Sequence, residues 1–247
     1  MKKLIENGIV VSIGNHKEDI VNSNITSLVA TCIHKKWGDK IRIVVVDCYE
    51  HKGYLYNQRE LELEIANEDY RLPFRLLQIS SEDFSKQADF LIDEYDIVFL
   101  DLSSNLKQQS IIQCYNLVDV LIVPTKANIF NLQSTIDFLR IHKETIIPTR
   151  EKYELKTAIY GLFRGVNIQT NNFKEQYLDE FRKSLSVEFL HNFVLESEAT
   201  SQRNVTITSV SENDVYENYE DLSREMLNKI ILEVSDGLYI STFDVVT

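Results

Sequence analysis

The sequence predicts a doubly wound α/β domain, in which helices cover both faces of a mostly parallel sheet. Short runs rich in Val and Ile alternate with longer amphipathic stretches along most of the chain. The runs are apolar at every position rather than at every second one, as is typical of parallel strands buried on both faces. Strands and helices in regular alternation indicate a three-layer α/β/α fold.

The individual elements can be placed from these runs. GIVVSI at 8–13, IRIVVVD at 41–47 and DIVFLD at 96–101 are the clearest strands. Further strands are expected at 75–79, 118–124, 156–163 and 189–195. The stretches with helical character are 25–36, 54–66, 82–94, 107–115, 131–143, 172–185 and 217–234. In the last of them an apolar stripe repeats at helical spacing, which predicts a helix packed on the sheet.

Length and composition favour a single domain over residues 1–247. The chain has 44% hydrophobic and 26% charged residues, with only seven glycines and three prolines. Such a composition can bury a sizeable core and leaves little room for a flexible linker. We expect a core at about 8–235, followed by a short C-terminal tail.

The charge balance disfavours nucleic acid and membrane as direct partners. Acidic residues number 38 and basic residues 26, a formal charge of −12, and no run of five Lys or Arg occurs. A surface of this sign repels phosphate backbones and anionic lipid. No stretch approaches the ~18 apolar residues that span a bilayer, and the N-terminus does not resemble a signal peptide. We therefore expect a cytoplasmic protein without tight DNA binding.

Three cysteines stand far apart, at positions 32, 48 and 114. They form no CxxC or Cys/His spacing, so the sequence indicates no zinc site. Unpaired thiols are typical of a reducing compartment.

In a sheet of this kind, ligands bind at the carboxyl ends of the strands. This directs attention to the segments 14–24, 47–55, 101–106 and 124–130. The segment after the first strand reads NHKEDIVNSN at 15–24. A working phosphate loop at this place needs glycines for close backbone approach, a lysine for the phosphates and a Ser or Thr for Mg²⁺.

At this segment the sequence resembles the ParA/MinD family of deviant phosphate-loop ATPases (the SIMIBI class), which partition plasmids and chromosomes. It is most similar to the ParA-like proteins of Bacteroides-type conjugative transposons (TraA-like). The family loop, xxKGGVGKTT, aligns with this segment without a gap. The resemblance implies that Lys17 is the signature lysine, which reaches the partner subunit's nucleotide. It also implies that Ser23 is the hydroxyl ligand of Mg²⁺.

Other segments follow the family in the same order, over about residues 8–235. VVVDC at 44–48 is similar to the family's VVDxD strand, with Asp47 as its first aspartate and Tyr49 in place of the second. YDIVFLDLSS at 95–104 looks like the Walker B strand, with Asp101 as the aspartate that holds Mg²⁺ through water. VDVLIVPTKANIFNLQSTIDFL at 118–139 resembles the segment after it. The family's adenine-side asparagine would fall near Gly165 and is absent.

The loop itself departs from the family pattern. Glu18 and Asp19 stand where two glycines belong, Val21 replaces the third glycine, and Asn22 replaces the phosphate lysine. Side chains at glycine positions would intrude on the phosphates. Two carboxylates would repel a triphosphate, and loss of the lysine removes a charge-assisted bond of about 1.5–3 kcal/mol. Tyr49 replaces the aspartate that positions the attacking water.

We therefore expect a degenerate phosphate loop and a pseudo-ATPase, without a bound cofactor, that acts through protein–protein interaction. The resemblance implies a homodimer and, as partner, a basic adaptor or DNA-binding protein. The alternative is an active divergent ATPase switch that forms an ATP-dependent dimer, with Lys17, Ser23, Asp47 and Asp101 as its nucleotide site. Ser23 and Asp101 would then hold Mg²⁺.

Ordinary structural roles are a further interpretation of the same four residues. Lys17 would be solvated on the loop and Ser23 would cap a helix N-terminus. Asp47 and Asp101 would be strand-end carboxylates that accept backbone N–H bonds.

Overall fold

A computed structural model describes residues 7–16, 19–49, 53–65, 74–166, 175–195 and 215–234. The strands in these ranges are β1 (Ile9–Ile13), β2 (Ile43–Asp47), β3 (Arg75–Gln78), β4 (Ile97–Asp101), β5 (Val120–Thr125), β6 (Ala158–Val166), β7 (Glu188–Phe189) and β8 (Val194–Leu195). The helices are α1 (Asp19–Trp37), α2 (Tyr54–Ile65), α3 (Ser81–Glu94), α4 (Gln109–Tyr115), α5 (Ile129–Ile141), a π-helix (His142–Ile146), α6 (Ile147–Glu151), α7 (Glu175–Leu185) and α8 (Val215–Val234).

The strands form one parallel sheet in the order β3-β2-β4-β1-β5-β6-β7, and β8 pairs with β6. In the centre, Val11 of β1 lies opposite Phe99 of β4 and Val120 of β5. Because every described pairing is parallel, the carboxyl ends of the strands meet along one edge, the carboxyl edge.

Helices cover both faces of the sheet, which confirms the predicted three-layer fold. On one face α1, α2 and α8 enclose a core that includes Val11, and on the other α3, α4, α5 and α7 enclose a core that includes Val10. Successive side chains of a strand point to opposite faces. Both faces are buried at the central strands, and this is why β1, β2 and β4 are apolar at nearly every position.

Helix α1 begins six residues earlier than the sequence predicts, at Asp19 instead of Ile25. Its first turns carry Asn22, Ser23 and Asn24, which are polar and nevertheless buried. Burial of polar side chains interrupts the apolar periodicity on which the prediction depends. Much of the segment that was expected to be a loop is therefore helix.

The helix predicted at 131–143 continues to Glu151 through the π-helix. Pro148 explains the irregularity, because proline has no N–H and its ring collides with the carbonyl four residues earlier in a regular helix. The backbone N–H of Ile147 accordingly bonds to the carbonyl of His142, five residues back. The strand predicted at 189–195 is two short strands, and the predicted helical residues 172–174 lie outside the described ranges.

Candidate functional site

The candidate site lies at the carboxyl edge, where the ends of β1, β2, β4 and β5 adjoin. Lys17 and Glu18 fall outside the described ranges, as does the side chain of Asp19. Their expected roles therefore stay predictions. The geometry of the site is given by Val21 to Asn24 on α1 and by the residues that follow the other three strands.

Of the four substituted loop positions, Val21 and Asn22 are the two whose side chains the structure describes. Val21 packs against the core between the sheet, α1 and α8. Its side chain therefore contributes to stability at a position where the ParA/MinD family loop has glycine. Asn22 is 2% exposed, and within the described part of the chain its Oδ1 has no hydrogen-bond partner. A buried neutral amide thus occupies the position expected for the phosphate lysine.

Ser23 is fully buried inside α1. The suggestion that it caps the N-terminus of a helix is wrong, because α1 already begins at Asp19. The carbonyl of the neighbouring Asn22 accepts a bond of 2.9 Å from the hydroxyl of Thr26, which reinforces this part of the helix.

Asp47 ends β2 with its carboxylate directed at the start of α2. Oδ2 accepts the backbone N–H of Tyr56 at 3.1 Å and Oδ1 that of Tyr49 at 3.3 Å. Burial raises the pKa of Asp47, and bonds from the backbone of Tyr56, Tyr49 and Leu55 offset part of that rise. A Cβ at Gly53 would lie within 1.8 Å of Oδ1, so the contact requires glycine there. The carboxylate acts as an acceptor for the first turn of α2.

Asp101 lies beside Asp47, because the two residues are register partners at the ends of β4 and β2. It is fully buried, and its carbonyl accepts the N–H of Cys48 at 3.0 Å. Tyr49, which replaces the expected second aspartate, donates its hydroxyl to the carbonyl of Leu102 at 3.5 Å. A phenol therefore bridges the two strand ends where a water-positioning carboxylate was expected.

Asn15 is a site residue that sequence reasoning missed. Its Nδ2 donates to the carbonyl of Pro124 at 2.8 Å and to the hydroxyl of Thr135 at 2.9 Å. The hydroxyls of Thr125 and Thr135 lie 3.0 Å apart. This buried network fastens the beginning of the loop to β5 and α5. Asn15 is more than 100 residues from both Pro124 and Thr135, so no spacing in the sequence indicates the network.

Gly165 lies near the position that corresponds to the family's adenine-side asparagine. It adopts φ of +66°, a left-handed conformation that favours glycine. A Cβ there would lie 3.1 Å from Cε of Lys126, so the lysine stem passes close over this backbone. Gly53 lies in the segment after β2 and Gly165 is the penultimate residue of β6, and a glycine near the end of a strand is the one signal that could have drawn attention to them.

Within the described ranges, no three His, Cys, Asp or Glu side chains are grouped so that they could hold a metal ion. The described helices include none with the length and apolar character needed to cross a membrane.

Comparison with solved structures identifies proteins that share this fold. MinD from Aquifex aeolicus superposes with a TM-score of 0.65 at 10% sequence identity, covering 90% of this chain and 98% of MinD. A ParA-family ATPase from Chlorobium tepidum TLS gives 0.63 at 13% identity, covering 87% and 98%. The chain has the MinD/ParA fold.

MinD from Pyrococcus horikoshii OT3, in complex with Mg-ADP, shares this fold with a TM-score of 0.62 at 13% identity and covers 92% and 98% of the two chains. No protein-family model matches the sequence, and no curated protein matches it. This chain therefore shares the MinD/ParA fold with these proteins. At sequence identities of 10% and 13%, the similarity shows the architecture alone. The expected similarity to conjugative-transposon proteins stays a prediction.

Proposed function

We propose that this chain is a ParA/MinD-like protein that has lost ATP binding and hydrolysis and acts by binding other proteins. The observation that carries the proposal is Asn22, which fills a buried position where a nucleotide-binding relative would present a lysine to the phosphates. A neutral amide supplies none of the charge that a triphosphate needs.

Three further observations support the loss of the nucleotide site. The carboxylate of Asp47 accepts a backbone N–H at the start of α2, and the hydroxyl of Tyr49 donates to the carbonyl of Leu102. Val21 packs into the core, so a return to glycine would remove buried apolar surface. These residues have structural roles that a phosphate loop does not require of them.

The proposed partners follow from charge and fold. A chain with a formal charge of −12 suits a basic adaptor or a DNA-binding protein with a basic arm. A solved MinC:MinD complex from Aquifex aeolicus shares this fold with a TM-score of 0.64, at 11% identity and covering 90% of this chain and 96% of that one. MinD is thus an example of this fold in complex with another protein. We place the present chain in the cytoplasm, as a homodimer in the partition or transfer of a plasmid or mobile element.

Isothermal titration calorimetry of the purified full chain with Mg·ATP tests the proposal. We expect no heat of binding up to millimolar nucleotide, and no nucleotide released on denaturation of the purified protein. A dissociation constant in the micromolar range or below would contradict the proposal. An active ParA-family ATPase in the same buffer serves as the positive control.

The second candidate function is an active divergent ATPase switch. Ser23 and Asp101, its expected Mg²⁺ ligands, are both retained and fully buried at the carboxyl edge, which favours this candidate. It requires dimerisation that depends on ATP and phosphate release that falls in Lys17→Ala or Asp101→Ala. Equal mass and equal phosphate release with and without these substitutions would exclude it.

A further inference from the structure

A groove between β3 and α3 lies beside the outermost strand of the sheet. β3 stands at one end of the strand order, and within the described ranges it pairs only with β2. The groove has a volume of about 380 Å³ and is lined by β3, by the two residues that follow it and by α3. We call it the β3–α3 groove. A sheet edge of this kind can accept an additional strand.

The outer side of β3 presents backbone hydrogen-bonding groups. The N–H of Ile79 donates to the carbonyl of Asp47 on β2 at 3.1 Å, and Gln78 is the register partner of Asp47. In a parallel ladder, alternate residues of a strand bond to the same neighbour, so the N–H and C=O groups of Leu76 and Gln78 point away from β2. An extended peptide alongside β3 would bond to these two residues through its own backbone.

One apolar side chain of α3 lines the groove without belonging to the core. The core face of α3 carries Phe84, Ala88 and Leu91, which pack on the same side of the sheet as Leu77 of β3. Phe90 lines the groove and is 66% exposed. Alternate side chains of an added strand would point to this side, and apolar ones would cover Phe90 and remove it from water.

The two helices that flank β3 are both acidic. α2 lies on the face of Leu76, and α3 lies on the face of Leu77. Together the helices carry eight acidic and two basic side chains, and so contribute −6 to the formal charge of −12. The acidic residues are Glu60, Glu62, Glu64, Glu82, Asp83, Asp89, Asp93 and Glu94. A cationic segment is therefore attracted to this edge of the sheet.

We propose that the β3–α3 groove is the docking site for an extended segment of a partner protein in which basic and apolar residues alternate. The segment joins the sheet next to β3, with its apolar side chains over Phe90 and its basic side chains on the side of α2. The inference rests on the proposed function in one respect, namely that the chain acts by binding other proteins.

The same charges argue against two other occupants of the groove. A second copy of the chain would bring its own acidic α2 and α3 to this edge. The segment 235–247 of the chain itself contains Asp236 and Asp244 and neither Lys nor Arg. Both would meet like charge, whereas a basic segment of another protein meets opposite charge.

Fluorescence anisotropy with a labelled peptide tests the inference. The probe is a decapeptide of alternating lysine and valine, titrated with the purified full chain in EDTA without nucleotide. We expect a dissociation constant in the micromolar range. A peptide of alternating glutamate and valine should bind at least tenfold more weakly because it is repelled. A lysine–valine peptide with N-methylated amides should do so because it lacks backbone donors. Equal binding of either control peptide would overturn the inference.

Two substitutions locate the contact. Gln78→Pro removes an outward N–H and keeps the bonds between β3 and β2, since proline is tolerated on that side of an edge strand. Phe90→Ser removes the apolar side chain that lines the groove. Each should weaken binding of the lysine–valine peptide at least tenfold, in protein that circular dichroism shows to be folded. Phe130→Ser, at an 83% exposed position on α5, is the matched control and should bind as the parent does.

Unchanged affinity in Phe90→Ser would overturn the inference even if Gln78→Pro failed to fold. Hydrogen exchange distinguishes the occupants, because the peptide should slow exchange of the amides at 76 and 78. In the free chain, protection of these amides that grows with protein concentration would assign the groove to a second copy. Strong protection at every concentration would assign it to another segment of the same chain. Either result would contradict the proposed partner.

Failure of this inference differs from failure of the proposed function. If neither the peptide nor Mg·ATP binds, the groove is not a docking site and the loss of ATP binding stands. Calorimetric binding of Mg·ATP contradicts the loss of ATP binding. Peptide binding that needs no nucleotide and that Phe90→Ser weakens supports the groove in either case.

Discussion

The carboxylate of Asp47 accepts the backbone N–H of Tyr56 at 3.1 Å, and so links the end of β2 to the first turn of α2. The aspartate that resemblance assigns to a nucleotide site therefore has a structural partner of its own. Its position beside Asp101, on the neighbouring strand, places this link at the centre of the carboxyl edge.

Asp47→Ala should lower the free energy of unfolding by about 1–3 kcal/mol, because it leaves the part-buried backbone N–H groups of Tyr49 and Tyr56 without this acceptor. Urea denaturation followed by circular dichroism measures the change. Asp89→Ala, an exposed position on α3, is the control and should stay within about 0.5 kcal/mol of the parent chain. Equal stability of Asp47→Ala and the parent would show that the bonds to α2 contribute nothing.

Asp47→Asn should change the pH dependence of stability. Burial raises the pKa of Asp47 in the folded state above its ordinary 3.8, so the unfolded chain loses this proton first as the pH rises. Protonated Asp47 therefore contributes its full stabilisation of the fold below pH 3.8. This contribution is lost as the pH rises through the pKa of the folded state. Between pH 4 and 7 the parent chain should therefore lose stability relative to Asp47→Asn. Parallel profiles for the two proteins would contradict this.

Asn22→Lys tests whether a phosphate cradle persists around the altered loop. Introducing an ammonium at a buried position should destabilise the fold by several kcal/mol, on the order of the penalty for burying an uncompensated charge. Because Glu18, Asp19 and Val21 still replace the glycines, we expect Mg·ATP not to restore the melting temperature. If Mg·ATP raised the melting temperature of Asn22→Lys by several degrees and left that of the parent chain unchanged, the lysine would be the only part of the phosphate cradle that is missing.

His142 should make the fold sensitive to mild acid. It is buried in the π-helix, its Nδ1 lies 3.0 Å from the carbonyl of Phe138, and burial lowers its pKa from 6.5 to about 4. As the pH falls, His142 binds a proton in the unfolded chain before it does so in the folded chain. The free energy of unfolding should therefore decrease between pH 6.5 and pH 4, by up to about 3 kcal/mol.

A variant comparison isolates this effect of His142. His142→Gln should flatten the decrease in urea midpoint between pH 6.5 and pH 4.5. His191→Gln should leave the decrease in place, because the ring of His191 is 90% exposed. An unchanged profile in His142→Gln would assign the acid sensitivity to other groups.

Arg150 fastens α6 to the amino ends of β5 and β6. Its buried guanidinium donates to the carbonyls of Asn116 and Lys156 and to Oδ1 of Asp119, each at 2.7 Å. Arg150→Ala should lower the free energy of unfolding by about 3 kcal/mol, because three acceptors lose a charged donor.

The chemistry of the guanidinium gives two controls for Arg150. Arg150→Lys should recover only part of the loss, since one ammonium cannot reproduce a planar fork. Arg140→Ala, which breaks an exposed pair with Asp137, should change stability by at most about 1 kcal/mol. A full rescue by lysine would show that charge alone matters at position 150.

The sequence predicted the strands well and the site geometry poorly. β1, β2 and β4 lie within the predicted ranges, because buried parallel strands are apolar at every position and this signal is local. The start of α1 was misplaced, since Asn22 and Ser23 are polar yet buried. The contact between Asp47 and Gly53, and the network of Asn15 with Thr135, depend on chain segments meeting in space. Neither leaves a periodic pattern.

What the sequence determined by itself is the α/β architecture and the identity of the residues that replaced the phosphate-loop glycines and lysine. Apolar periodicity and residue type are local properties, so they can be read without coordinates. Tertiary structure alone decided that Val21 packs into the core, that Asp47 accepts bonds from α2, and that Ile129 and Phe130 face solvent. Burial and hydrogen bonding depend on which distant segments the fold brings together.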